Sequence, residues 1–218
     1  MPEIDLLRAL PKTKRDIRKR EDAKKPEVVA EAKRYGQMYF DGPREYGYGG
    51  YRYDGRWVPV ARDIVAQYGL GPTSRVLDVG CAKGFLVKDL MSVCPGLQAY
   101  GVDVSEYALE HCEPEVVGRL AIASAERLHF PDASFDLVLS INAIHNLPRD
   151  RARTALAEIQ RVSRGKAFVQ VDSYHSPEER AIFESWVLTA EFHDYPAGWL
   201  ALFAEAGYTG DYAWTVIT

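Results

Sequence analysis

Five residues stand at positions where side chains can do chemistry. Asp78 closes a short apolar run, R-V-L-D-V, and Asp103 closes another, A-Y-G-V-D, 25 residues later. His145 ends a third run, Phe135 to Asn146, and Asp172 and His175 follow a fourth, V-Q-V. A carboxylate at such a position accepts hydrogen bonds from ligand hydroxyls. An imidazole exchanges protons near neutral pH, so His145 is a candidate general base. Asp172 and His175 are candidates for an acid–base or substrate-orienting pair. The same two side chains bind metals elsewhere, but two ligands do not make a centre and no third stands at a telling spacing, so no metal is expected. His193 and Asp194 reach such a site only if the segment before Pro196 folds over it; a surface turn is the simpler expectation.

These residues must be held by strands and turns. Arg75 to Val79 reads as a buried parallel strand, Gly80 to Gly84 as a glycine turn, and Phe85 to Met91 as an amphipathic helix. Gly80 and Gly84 omit the Cβ atoms that block a close backbone approach to a ligand. The turn lacks the G-x-G-x-x-G of dinucleotide sites, because Ala82 stands between the two glycines. Strand and helix alternate from Arg75 to Val171, which implies a parallel sheet with helices on both faces. Ahead of the first strand, helices are expected at Pro26 to Tyr35, stopped by Gly36, and at Pro59 to Tyr68, stopped by Gly69. Between them lies Y-G-Y-G-G-Y-R-Y-D-G-R-W, Tyr46 to Trp57. Its glycines prevent a stable helix, and its tyrosines supply rigid walls and hydroxyls.

The segment V-L-D-V-G-C-A-K-G-F resembles the first motif of the Rossmann-like S-adenosylmethionine (SAM)-dependent methyltransferases, an acidic residue followed by G-x-G-x-G, with Ala82 replacing the middle glycine. The resemblance runs from Ser74 to about Val171. It implies a doubly wound, mostly parallel sheet of six to seven strands, SAM as cofactor, and transfer of its methyl group. Asp78, Gly80, Ala82 and Gly84 then form the cofactor turn, and Asp103 and Val104 the ribose end. Ala125 and Glu126 stand at the adenine edge, and Asn142 beside the reacting methyl group. Tyr46, Tyr48, Tyr51, Arg52, Tyr53 and Trp57 belong to the region that commonly closes over cofactor and substrate. The last helix resembles Trp199 to Ala206, with a single strand, Tyr212 to Ile217, after it. The usual fold has two strands there, so either one lies earlier, near Trp186 to Phe192, or the sheet is one strand short with an edge open to a second subunit.

The chain has 218 residues, 47% of them apolar, enough for one domain: residues 1–70 as N-terminal helices and lid, 71–218 as the core. No apolar run is long enough to span a membrane, and the N-terminus lacks a signal peptide's order, so a cytoplasmic protein is expected. Three cysteines without a C-x-x-C pair read as free thiols. Residues 1–35 carry 11 Lys and Arg against 7 Asp and Glu, or +4, which leaves −8 for the rest. An acidic body argues against a nucleic-acid substrate and favours oxygen or nitrogen of a small polar metabolite as acceptor, in a monomer or homodimer. Two alternatives remain: an RNA or protein methyltransferase that docks through the basic run Lys12 to Lys25, and a SAM-binding partner without catalysis.

Overall fold

The computed structural model describes residues 1–11, 15–49 and 51–218. Among these, six strands form one sheet: β1 Arg75–Val79, β2 Gln98–Asp103, β3 Leu120–Ile122, β4 Leu137–Ile141, β5 Ala167–Asp172 and β6 Asp211–Thr215. Their order is β3-β2-β1-β4-β5-β6, and every pairing is parallel. The chain winds outward from β1 to β3, then crosses to β4 on β1's other side. That reversal opens a crevice at the carboxyl ends of β1 and β4, where ligands bind in open α/β sheets.

Side-chain alternation sorts the core into two layers. Leu77, Val138 and Val169 pack on one face, and Val76, Leu137 and Phe168 on the other. Among the described residues nine α-helices cover the sheet and its front end: α1 Ile17–Ala23, α2 Pro26–Ala32, α3 Gln37–Asp41, α4 Val58–Tyr68, α5 Phe85–Val93, α6 Glu106–Glu110, α7 Arg149–Val162, α8 Pro177–Trp186 and α9 Pro196–Glu205. Val60 and Ile64 of α4 and Leu86 and Leu90 of α5 fill the second layer. Leu156 and Ile159 of α7 and Trp199 and Phe203 of α9 fill the first. Each such side chain contributes about 1.5–3 kcal/mol on burial.

Two boundaries differ from the sequence expectation. Helix α2 ends at Ala32 rather than Tyr35, because Tyr35 adopts φ +50° and breaks the right-handed path before Gly36. Helix α9 starts at Pro196, whose fixed φ suits a first turn. No strand forms between Trp186 and Phe192, so the sheet has six strands. The outer edge of β6 is met by the chain's own beginning: the Ile4 N–H donates to the Tyr212 carbonyl at 2.9 Å, and the Tyr212 N–H to the Pro2 carbonyl at 3.2 Å. The edge expected to be open is therefore already paired in part.

The N-terminal segment is docked rather than loose. Arg20 of α1 is buried and donates to the Glu45 carbonyl at 2.9 Å and the Gly47 carbonyl at 2.7 Å. Lys24 reaches the Glu184 carbonyl and Lys33 the Glu191 carboxylate. Part of the basic run, residues 12–14, lies outside the described residues.

Candidate active site

Strand β1 delivers the chain into a left-handed turn. Gly80 has φ +85°, and a Cβ there would sit 2.3 Å from the Ala143 Cβ, so glycine is required for both conformation and room. Ala82, in place of the middle glycine, also adopts a left-handed φ of +49°. An L-residue pays about 1–2 kcal/mol for that conformation. The Ala82 N–H recovers it by donating to Asp103 Oδ2 at 2.8 Å, a charge-assisted bond.

The turn opens on a cavity of about 460 Å³ at the crevice between β1 and β4, within the usual range for small-molecule sites. Asp78 and Asp103 both line it. Asp103 accepts from Ala82 and, through Oδ1, from the Ser105 N–H at 2.9 Å. Burial raises its carboxyl, and these amides hold the rise back. Asp78 has no such relief: burial and the nearby Asp103 charge push it up to about 7. A buried carboxylate and a half-buried one with spare lone pairs suit a ligand that brings hydroxyls and positive charge. SAM brings both, a ribose diol and two cationic centres, so the residues fit it.

Val104, Ala125 and Asn142 also line the cavity. Asn142 takes φ +54° and accepts from the Thr215 hydroxyl at 2.8 Å. Gly84 stands just behind the turn, where a Cβ would press on Leu120 and Val116. Glu126 is turned away, bound by Arg151 and Ser124. Of the aromatic segment, Tyr48, Tyr51 and Trp57 line the cavity. Tyr46 and Arg52 do not, and Tyr53 instead donates to Asp89 at 2.6 Å.

At the cavity's other end, His145 and Asp172 meet. The Asp172 N–H donates to His145 Nδ1 at 3.0 Å, and His145 Nε2 lies 3.4 Å from Asp172 Oδ2. The amide fixes the tautomer: Nδ1 accepts, so the proton sits on Nε2, facing the carboxylate. Burial lowers the imidazole pKa and keeps the ring neutral. His145 is thus tied to Asp172 through the backbone amide, with Nε2 beside the carboxylate. Burial raises Asp172 in turn, moderated by His145, Arg15 and His193. His175 joins neither: it is exposed and paired with Glu179 across the first turn of α8, at 3.2 Å. The Asp172–His175 pair expected from proximity in sequence is thus replaced by Asp172–His145, joined across adjacent strand ends. His193 meets the Tyr174 hydroxyl at 3.1 Å, outside the cavity lining.

The cavity also gathers residues that no motif flagged. Tyr35, Tyr39 and Phe40 come from the connection around α3, Arg15 and Arg44 from the basic front end, and Trp186 from α8. Tyr51 donates to Tyr39 at 3.0 Å, and Tyr48 Oη accepts from the Leu188 N–H at 2.7 Å. The spaced aromatics of Y-G-Q-M-Y-F were the available signal for the first group; the arginines read as ordinary solvated charge.

A methyltransferase-domain family model matches residues 77–169. The 2-methyl-6-phytyl-1,4-hydroquinone methyltransferase of Synechocystis is 32% identical over 175 residues, covering 69% of this chain and 53% of that protein. A ubiquinone/menaquinone biosynthesis C-methyltransferase of Cupriavidus taiwanensis is 31% identical over 126 residues, covering 54% of this chain and 51% of that protein. The chain thus spans about half the length of these curated relatives. A solved SAM-dependent methyltransferase from Archaeoglobus fulgidus shares the fold at TM-score 0.57, with 19% identity, over 78% of this chain and 72% of that one. Turn, carboxylates, sheet order and relatives agree: the chain belongs to the Rossmann-like, SAM-dependent methyltransferase family.

Proposed function

We propose that this chain transfers the methyl group of SAM to a small acceptor that bears a hydroxyl, which Asp172 deprotonates. The observation that carries the reading is the Asp172 carboxylate, held by His145 in the same cavity as the Asp78–Asp103 pair. SAM, when bound, supplies an activated methyl group that is displaced in line. Asp103 and Asp78 hold its hydroxyls and positive charge. Asp172 accepts the acceptor's proton, and its raised pKa brings it closer to that task. His145, anchored by the Asp172 amide, keeps Nε2 beside that carboxylate and fixes its surroundings. Tyr48, Tyr51 and Trp57, with residues 1–70 as a lid on the 71–218 core, exclude water and align the reactants, an effect worth up to about 7–11 kcal/mol.

Oxygen is favoured over nitrogen as the acceptor atom, because Arg15 and Arg44 repel a cationic head. Carbon is the second reading, favoured by the two relatives named for hydroquinone and C-methylation. Loss of a phenolic proton to Asp172 charges the oxygen and the ring carbons alike. Docking on RNA or protein is the weaker reading, because Arg20 and Lys24 of the basic run are committed within the fold. We place the protein in the cytoplasm: its three cysteines are free, and no helix among the described residues is long and apolar enough to cross a membrane.

The test is turnover of hydroxylated aromatics with SAM, with the product read by NMR as methoxy or ring methyl. Asp172→Asn is expected to lose at least 100-fold in kcat with unchanged affinity for S-adenosylhomocysteine. His145→Gln, which can still accept and donate, is expected to lose about tenfold and to shift the pH–rate profile. Full activity in Asp172→Asn would overturn the proton-acceptor role.

A further inference from the structure

Three guanidinium groups surround one indole. The Cζ atoms of Arg20, Arg15 and Arg44 lie 4.7, 5.8 and 5.9 Å from the ring centroid of Trp186. Arg20 has its partners, the carbonyls of Glu45 and Gly47, and sits behind the ring, buried. Arg15 and Arg44 do not: neither reaches a carboxylate within 4.0 Å among the described residues. Both line the main cavity with Trp186. Asp16 and Glu45 line an adjoining recess, with Arg44 and Trp186 as the shared wall, and Asp172 lines the main cavity with the two arginines. Asp16 already caps α1 through the Lys19 N–H at 3.0 Å.

Such a cluster is costly when empty. Partial burial lowers the Arg44 pKa, opposed by Tyr51, and the positive charge of Arg15 adds to the lowering, so the two cations repel each other. An anion between them removes that repulsion, and a guanidinium pairs with carboxylate or phosphate through two parallel hydrogen bonds. The indole face holds both cations in place. The charge of Arg15 moderates the rise of the Asp172 carboxyl, and Arg44 stands near Tyr51 in the same cavity wall.

We propose that Arg15 and Arg44, held over Trp186, bind an anionic group, a carboxylate or phosphate, carried by the acceptor. This rests on the methyltransferase reading above and gives its acceptor a class: a small hydroxylated molecule with an acidic substituent. The aromatic walls and Trp186 favour a ring between the two.

Benzoate is the probe, with benzamide as its neutral counterpart, titrated calorimetrically into protein saturated with S-adenosylhomocysteine. Benzoate is expected to bind and benzamide at least tenfold more weakly. R15Q/R44Q is expected to weaken benzoate at least tenfold and to leave S-adenosylhomocysteine affinity within twofold. R15K/R44K, which keeps the charge, should retain part of the binding, and its thermal melt checks that the fold persists. Three results overturn the proposal: no benzoate binding, equal binding of benzamide, or benzoate affinity unchanged in R15Q/R44Q. A fourth does so differently: if R15Q/R44Q loses S-adenosylhomocysteine and benzoate does not add to the wild-type complex, the arginines serve the cofactor's own carboxylate. Failure of the wild type to bind S-adenosylhomocysteine overturns the methyltransferase reading alone; benzoate binding to the ligand-free protein, lost in R15Q/R44Q, then still supports the anion site.

Discussion

Asp78 and Asp103 set the electrostatics of the cofactor end, and their consequences are measurable. The Asp78 carboxyl is raised to about 7 by burial and by Asp103, against an ordinary value near 3.9 in an unfolded chain. The folded state therefore keeps a proton that the unfolded state releases. The resulting stability is full below about pH 4 and is lost as pH rises through 7. Ligand-free protein should melt at falling temperature from pH 5 to pH 8, and Asp78→Asn should flatten that slope. SAM favours the ionised form, so its affinity should rise across the same window in wild type but not in Asp78→Asn, as calorimetry at several pH values would record. Asp103→Asn keeps one acceptor oxygen for two amides, Ala82 and Ser105. It should weaken S-adenosylhomocysteine binding by at least tenfold, the equivalent of one charge-assisted hydrogen bond of about 1.5–3 kcal/mol. At this scale the sequence was readable where a motif carries backbone geometry: Asp78, Gly80, Ala82 and Asp103 come together as expected. It misled where a partner was chosen by nearness along the chain. His175 is three residues from Asp172, yet the neighbouring strand end brings His145 instead.

Periodicity located the central elements, because β1, β4, α4 and α5 carry enough apolar residues to show that they are buried. The front end carries less of that signal. Helices α1, α2 and α3 have seven, seven and five residues, too short to persist alone or to show a full stripe. Their positions depend on contacts from distant parts of the chain, such as Arg20 on the carbonyls of Glu45 and Gly47, or Tyr48 on the Leu188 amide. The single strand after the last helix left two alternatives, a strand near Trp186 to Phe192 or a sheet one strand short, and the described residues show the second. That residues 2–4 would meet the exposed flank of β6 was not foreseeable, since two backbone hydrogen bonds leave no pattern in side chains. Deleting residues 1–4 should lower the melting temperature and favour self-association through the uncovered flank, seen as a concentration-dependent mass by light scattering. An unchanged monomer–dimer balance would mean that the twist or charges of β6 already protect it.

At the scale of the molecule, charge and architecture divide the work. The first 35 residues carry +4 and the remainder −8, and the basic part is wrapped against the acidic one. Arg15, from the basic part, and Arg44, from the remainder, bring positive charge to a cavity whose strand ends carry Asp78, Asp103 and Asp172. The meeting of Ile4 with Tyr212 has a consequence for the cavity. Strand β6 is held by β5 on one flank and by residues 2–4 on the other, and its Thr215 hydroxyl donates to Asn142 at the cavity wall. A change at the first residues is therefore one strand and one hydrogen bond away from the site.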